Sequence, residues 1–502
     1  MKTNTLDFDA QALREKILDL AMRGKLVPQD PNDEPASVLL EKIKAEKEQL
    51  IKEKKIKKSK PLAPITDDEN PFDIPDSWEW VRLGDLTAPV EYAMADGPFG
   101  SNLKKADYTL DPEVRIIQLS NIGDNGWKDD NVKYTTFEHL RVIQRSEVYP
   151  GNIVIAKMMP AGRAIIVPDN DQKYVLSSDA VKFIPNNALD KMFLLYCINS
   201  NTYRDQVNSK LQGSTRPRTS LKKLKTFLIP LPPLEEQSRI AAKIAQLFAL
   251  LRKVESSTQQ HAKLQTLLKS KVLDLAMRGK LVKQNPHDEP ASVLLEKIKA
   301  EKEQLVKEGK IKKSKSLPPI TDDEKPFDIP DSWEWVRLGD IGAITSGGTP
   351  KTSEKSYWIN GTIPWITPAV MAKCKDQMIF NSESVKRINN LGLEKSSAHL
   401  IPKNSLVVSS RAPIGYVNIV PFEYTTNQGC KSVSLYKDIN EEFIYFALKN
   451  SVSDMNNRAS GTTFKEISGT RFSQTIIPLP PLKEQTKISQ KIRVLATIIH
   501  NF

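Results

Sequence analysis

The 502-residue chain is 39% hydrophobic and 27% charged, with a formal net charge of +12, a basic balance that leans toward a polyanionic partner. No apolar run approaches the roughly 18 residues a membrane helix needs, and Met1-Lys-Thr-Asn-Thr-Leu-Asp lacks the apolar stretch of a signal peptide. Three cysteines without motif spacing and five scattered histidines offer neither a disulfide framework nor a metal cluster, which suits a cytoplasmic protein with reduced thiols.

Around Ala10 to Lys25, Leu13, Ile17, Leu20 and Ala21 fall at helical spacing, and Gly24 followed by Val27-Pro28 supplies a stop. After the turn Pro31-Asn-Asp-Glu-Pro35, a second helix is predicted over Ala36 to Lys58, apolar at Leu39, Leu40, Ile43, Leu50 and Ile51. Its end, Lys52-Glu-Lys-Lys-Ile-Lys-Lys-Ser-Lys60, reads as a solvated helix end and linker or as a phosphate-touching arm. Asp73-Ile-Pro-Asp-Ser-Trp-Glu-Trp-Val-Arg-Leu-Gly-Asp85 then opens a region of short strand candidates, Val114–Leu119, Ile153–Lys157, Ala164–Val167 and Val181–Ile184, with a helix over Asp190 to Val207. Glu235 to Arg278 is predicted as one long helix. Its apolar seam runs through Ile240, Ile244, Leu247, Leu251 and Val254, and resumes at Leu264, Leu268, Val272 and Leu275. The expected partner is split between the chain ends, Leu13 and Ile17 at one and Ile488, Ile492 and Leu495 at the other. A second mixed region follows, with strand candidates Ser405–Ser409, Gly415–Val420 and Lys431–Leu435 and a helix near Glu441–Ser451.

Two repeats organise this order. Ile17-Leu-Asp-Leu-Ala-Met-Arg-Gly-Lys-Leu-Val returns at Val272, and the match continues ungapped to Ile341 with roughly 60 identical positions over about 70. Leu228-Ile-Pro-Leu-Pro-Pro-Leu-Glu-Glu-Gln237 returns as Ile476-Ile-Pro-Leu-Pro-Pro-Leu-Lys-Glu-Gln485. The two shifts, about 255 and about 248, together exceed the chain length by about one residue. The chain therefore reads as a circle of two equivalent halves cut within one connector, with Phe502 meeting Met1. The repeated block is slightly acidic in both copies, so the positive excess sits in the unrepeated segments and the helical connectors.

Catalytic motifs are thin. Gly347-Gly-Thr-Pro-Lys-Thr352 lacks the glycine spacing of a phosphate loop, and Asn70-Pro-Phe72 lacks the second proline of an amino-methyltransferase loop. Pro168-Asp-Asn-Asp-Gln-Lys173 packs its carboxylates into a turn, and no Ser/His/Asp set can be assembled. The chain reads as non-catalytic.

Two different domains, each entered by Ile-Pro-Asp-Ser-Trp-Glu-Trp-Val-Arg-Leu-Gly-Asp and left by Pro-Leu-Pro-Pro-Leu-x-Glu-Gln, resemble the DNA specificity subunit of type I restriction–modification enzymes. Asp96-Gly-Pro-Phe-Gly-Ser101, Gly347-Gly-Thr-Pro350, Ile363-Pro-Trp-Ile-Thr-Pro368 and Ser410-Arg-Ala-Pro-Ile-Gly415 carry the likeness, which covers nearly the whole chain. The repeated block ahead of the first domain resembles the type IB subclass. The implied fold is α+β: two mixed target-recognition domains separated by an antiparallel pair of long coiled-coil-like helices, pseudo-two-fold and circularly arranged. The implied plan is an N-terminal helical region over 1–74, target-recognition domains over 75–232 and 330–480, a central helical spacer over 233–329, and a C-terminal helix over 481–502. The implied function is reading of a bipartite, asymmetric site in double-stranded DNA and docking of two methyltransferase subunits, with restriction subunits joining through the complex. S-adenosylmethionine, ATP and magnesium would belong to those partners, and none to this chain. A stand-alone DNA-binding scaffold or regulator is the alternative, separable by co-purification with a methyltransferase.

Candidate DNA contacts in the first domain are Arg163, Arg216, Arg218, Lys222 and Lys223, since Gly213-Ser-Thr-Arg-Pro-Arg-Thr-Ser-Leu-Lys-Lys223 is basic, hydroxyl-rich and loop-like. In the second they are Lys351, Arg411, Lys465 and Arg471. Lysine suits phosphate, whereas arginine can also fork onto guanine edges.

Overall fold

The computed structural model describes residues 9–499 except 59, 310, 312–315, 384, 412 and 462–464. The expected junction of Phe502 with Met1 and most of the lysine run after Gly309 therefore lie outside the described residues. The chain divides into two compact units, Met1–Thr258 and Gln259–Phe502.

In the first unit, Asp9 caps the helix Ala10–Met22 by accepting from the Ala12 amide, and Gly24, at φ +65°, ends the turn that follows. Leu18, Ala21 and Met22 face Ile240, Ala241 and Ile244 of the long helix Leu234–Met277 in one core. The two helices run antiparallel. Arg14 bonds Glu255 near one end, while Gln29 and Asp33, just past the N-terminal helix, bond Glu236 and Arg239 near the other. The helix Ala36–Lys52 adds Leu39 and Ile43 to the same core. It stops earlier than its periodicity predicts because the chain turns at Lys54, whose φ is +57°.

The second unit repeats this block. Ala291–Lys307 buries Leu294 and Ile298, and Ile488 and Ile492 of the helix Leu482–Ile498 share a core with Val272, Ala276 and Met277. The apolar seam of the long helix is thus covered at its two ends. Val254, Leu264 and Leu268, on either side of the break in the seam, are 44%, 55% and 48% exposed.

The two short repeated motifs pair with each other. Glu79–Arg82 runs antiparallel to Leu228–Leu231, and Glu334–Arg337 to Ile476–Leu479, closing each unrepeated segment at its base. Trp78 Nε1 and Gln29 Nε2 donate to the two oxygens of buried Glu236 at 2.9 and 2.6 Å; Trp333 and Gln284 treat Glu484 identically at 3.0 and 2.6 Å. Burial holds both carboxyls above the usual carboxylate range. The adjacent Gln237 and Gln485 accept from the amides of Asp190 and Asn440, which cap the next helices. Each carboxylate faces two donors, so Glu236→Gln turns an amide N–H toward one of them. We expect a loss of about 1–3 kcal/mol for that buried mismatch, read by denaturant unfolding; an unchanged midpoint would refute the acceptor-only role.

Above this base, the first unit forms an antiparallel four-stranded sheet in the order Ala164–Ile166, Ile153–Ala156, Ala180–Phe183, Met94–Asp96. A second, five-stranded sheet includes the parallel pair Val114–Ile117 and Lys173–Leu176. The second unit has the antiparallel order Gly342–Ser346, Cys430–Leu435, Ser405–Ser409, Val417–Val420, beside a three-stranded sheet. The class is mixed α+β, and each unrepeated segment shares its main core with its repeated helical block. The helix expected over Asp190 to Val207 is two, Lys191–Asn199 and Asn201–Ser209, because Ser200 adopts an extended conformation and is fully buried.

Candidate nucleic-acid interface

Strand register gathers the candidate loops at one sheet edge in each unit. In the first, Asp96 lies opposite Val181, and Ala180 opposite Ala156, so the loops after Asp96, before Ala180 and after Ala156 emerge together. The Lys157 amide donates to the Asp179 carbonyl at 2.8 Å, and its Nζ to Asp96 at 2.6 Å. In the second, Ser346 lies opposite Lys431, and Cys430 opposite Ser409. The Ser410 amide donates to the Gly429 carbonyl at 2.7 Å.

Glycine is required where these loops cross. A Cβ on Gly97 would overlap the Ser177 carbonyl, and one on Gly347 the Asn427 carbonyl. Backbone, unlike a flexible side-chain end, cannot step aside cheaply. Gly97→Ala and Gly347→Ala should therefore each cost about 1–3 kcal/mol and weaken DNA binding, measured by thermal unfolding and by titration with DNA. Wild-type values in both would show that the crossing is not tight.

A second loop closes on the first in the same way in both units. Gln212 and Arg218 exchange backbone hydrogen bonds of 3.0 and 2.9 Å, and the Thr219 amide donates to the Lys157 carbonyl at 2.9 Å. Ser460 and Glu466 exchange bonds of 3.0 and 2.9 Å, and the Ile467 amide donates to the Ser410 carbonyl at 3.1 Å. Each loop turns at a glycine of positive φ, Gly213 at +98° and Gly461 at +121°. Each then enters a short helix capped by serine, Ser220 accepting from the Lys223 amide and Ser468 from the Arg471 amide.

The nine candidate cations divide by what their side chains hold. Arg216, Arg218, Lys222, Lys351 and Lys465 are exposed. Arg411 is 54% exposed, and its Nε donates to Glu466 at 2.7 Å. Lys223 and Arg471 reach back at 2.7 Å to the carbonyls of Lys210 and Arg458, tying each loop to the helix before it. Arg163 binds Asp124 at 2.7 Å and the Ile122 carbonyl at 3.1 Å, so it braces the hairpin of Ile122–Gly123 and Gly126–Trp127; burial lowers its pKa. Lys157, buried Lys431 and Glu466 also belong to these edges and escaped the sequence reading. For Glu466 the signal was present, because Gln212-Gly213 and Ser460-Gly461 stand at the same shift as Pro230 and Pro478. Among the described residues no group of His, Cys, Asp and Glu could hold a metal ion, and no helix is long and apolar enough to cross a membrane.

The sequence pattern of the family described as "Type I restriction modification DNA specificity domain" matches residues 75–265 and 330–501. The EcoAI type I restriction enzyme specificity subunit of Escherichia coli is 31% identical over 97% of this chain and 88% of its own length. The EcoEI specificity subunit of Escherichia coli is 35% identical over 69% of this chain and 64% of its own. A chain from a solved structure concerning complex assembly and conformational transition of the type I R-M system superposes with a TM-score of 0.55 at 22% identity. The match covers 86% of this chain and 92% of that one, a likeness of fold.

Proposed function

This chain belongs to the family of type I restriction–modification DNA specificity proteins, and from that premise we propose that its two sheet edges read the two halves of a bipartite, asymmetric DNA site. The observation that carries this is the recurrence of one paired-loop geometry in two domains whose sequences differ between repeated flanks. Unequal loops on equal supports suit two unlike half-sites. The division follows the plan of residues 1–74, 75–232, 233–329, 330–480 and 481–502, with helical regions as support and spacer. The block ahead of the first domain supports the IB subclass.

The near-identical helical blocks offer two equivalent surfaces, which fits two copies of one methyltransferase subunit. Restriction subunits would join through that assembly. S-adenosylmethionine, ATP and magnesium would be held by the partners, in the cytoplasm, while this chain supplies sequence reading and no catalysis. The purified chain should neither methylate nor cut DNA, and should bind it weakly until methyltransferase is added. Methyl transfer by the isolated polypeptide, with contamination excluded, would sink that reading. Mapping methylated bases in cells carrying the complete system tests the function directly: a two-part motif is expected, and a single continuous motif would count against it.

A further inference from the structure

We propose that Arg218 and Arg411 are the guanine-reading residues, one for each half-site, and that Glu466 is a positioning residue that aims Arg411. The assignment rests on the DNA-reading function proposed above and adds to it which side chains read and which base they read.

The argument starts from backbone equivalence. Arg218 and Glu466 occupy one position: each exchanges two backbone bonds with the residue six earlier, and each precedes an amide bonded to the sheet-edge carbonyl of Lys157 or Ser410. Met158 and Arg411 occupy the facing position, each following that carbonyl and each bridged to its partner, Met158 to Arg218 and Arg411 to Glu466. One two-residue station is therefore built twice, as Met158/Arg218 and as Arg411/Glu466. Each station holds one arginine, from opposite loops.

Guanine presents two acceptors, N7 and O6, in the major groove, and the planar fork of a guanidinium matches them with two parallel donors more closely than a flexible ammonium does. At the second station Glu466 accepts from Arg411 Nε at 2.7 Å, with Lys431 Nζ 3.4 Å from its other oxygen. That contact leaves both terminal nitrogens of Arg411 without a hydrogen-bond partner among the described residues. At the first station both backbone polar groups of Arg218 are taken, so its Cα is fixed while its side chain stays exposed. The apolar side chain of Met158 offers no competing acceptor. Arg82, Arg163, Arg458 and Arg471 differ, because their guanidinium groups are bonded to protein carbonyls. An exposed pair such as Arg411–Glu466 contributes little to stability; what the contact fixes is where the guanidinium points, with buried Lys431 holding Glu466 in turn.

The test uses the complex of this chain with its methyltransferase and, once the motif is mapped, duplexes carrying each of the four base pairs at each motif position. Arg218→Lys and Arg218→Ala should reduce preference for one G·C pair in one half-site by roughly 10- to 100-fold. Discrimination at the other half-site should be unchanged, which also serves as the folding control. Arg411→Lys and Arg411→Ala should do the same in the other half-site, and Glu466→Gln should weaken preference at the pair that Arg411 reads. Uniform loss of affinity with unchanged base preference, restored by lysine, would make these residues phosphate contacts and overturn the assignment. So would a motif lacking G·C at the affected position. Equal binding of all duplexes by the wild-type complex would overturn the DNA-reading function itself, and the assignment with it.

Discussion

Replacing residues 87–227 with the matching segment of a relative should exchange one half-site of the methylated sequence for the relative's and leave the other half-site as it was. The cut points lie where the structure tolerates them. Glu79–Arg82 and Leu228–Leu231 stay in the recipient, so the closing ribbon and the Trp78–Glu236 contact survive. The donor segment must still fill the shared core, where Phe193 and Leu194 pack with Ile240 and Ile244. It must also supply a polar partner for Glu46, which accepts from Asn186 at 2.9 Å. With those contacts kept, preference should move by about a thousand-fold or more, the scale that separates specific from non-specific DNA binding. Methylation mapping of cells carrying the hybrid is the measurement. Change in both half-sites would mean the two segments do not read independently.

What the sequence makes legible here follows from how local each cause is. The helices Ala10–Met22, Ala36–Lys52 and Leu234–Met277 announce themselves by 3.6-residue periodicity, and Gly24 marks an end of the first. The apolar runs at Ile153–Ala156 and Ser405–Ser409 appear as predicted because both faces of those strands are buried. Two-residue strands such as Tyr134–Thr135 and Glu147–Val148 carry no period and form only against neighbours already in place. The interface shows the same divide. Basic, hydroxyl-rich composition led to the Gly213–Lys223 loop, yet composition cannot separate a presented cation from a bracing one. Arg218 and Lys223 lie five residues apart in one basic stretch. Only the contact of Lys223 with the Lys210 carbonyl shows that it holds the loop in place.

Removing either buried arginine at the base of a recognition segment should produce the largest loss of stability available to a single substitution outside the apolar core. Arg82 is 5% exposed and Arg337 4%. Arg82 donates to the carbonyls of Ala63, Thr226 and Pro64 at 2.7, 2.7 and 3.0 Å and to Glu69 at 2.8 Å, joining the proline-rich connector of residues 61–75 to the far end of the recognition segment. Arg337 repeats the set with Pro318, Gln474, Pro319 and Glu324. Alanine at either position leaves three partly buried carbonyls and a half-exposed carboxylate without their donor, and losing several hydrogen bonds to one charged group costs about 3–5 kcal/mol. Lysine restores the charge, but its single nitrogen cannot reach acceptors on opposite sides of a planar fork, so Arg82→Lys should recover less than half of the loss. Glu69 is the outward member of the set and 37% exposed, so Glu69→Gln should cost under about 1 kcal/mol. For units of this size the arginine losses correspond to a fall in melting temperature of roughly 6–20 °C, measurable by calorimetry. Arg82→Ala should lower the transition of the first unit and Arg337→Ala that of the second. An Arg82→Ala protein melting within about 1 °C of wild type would show that the four bonds are not what holds the connector to the recognition segment.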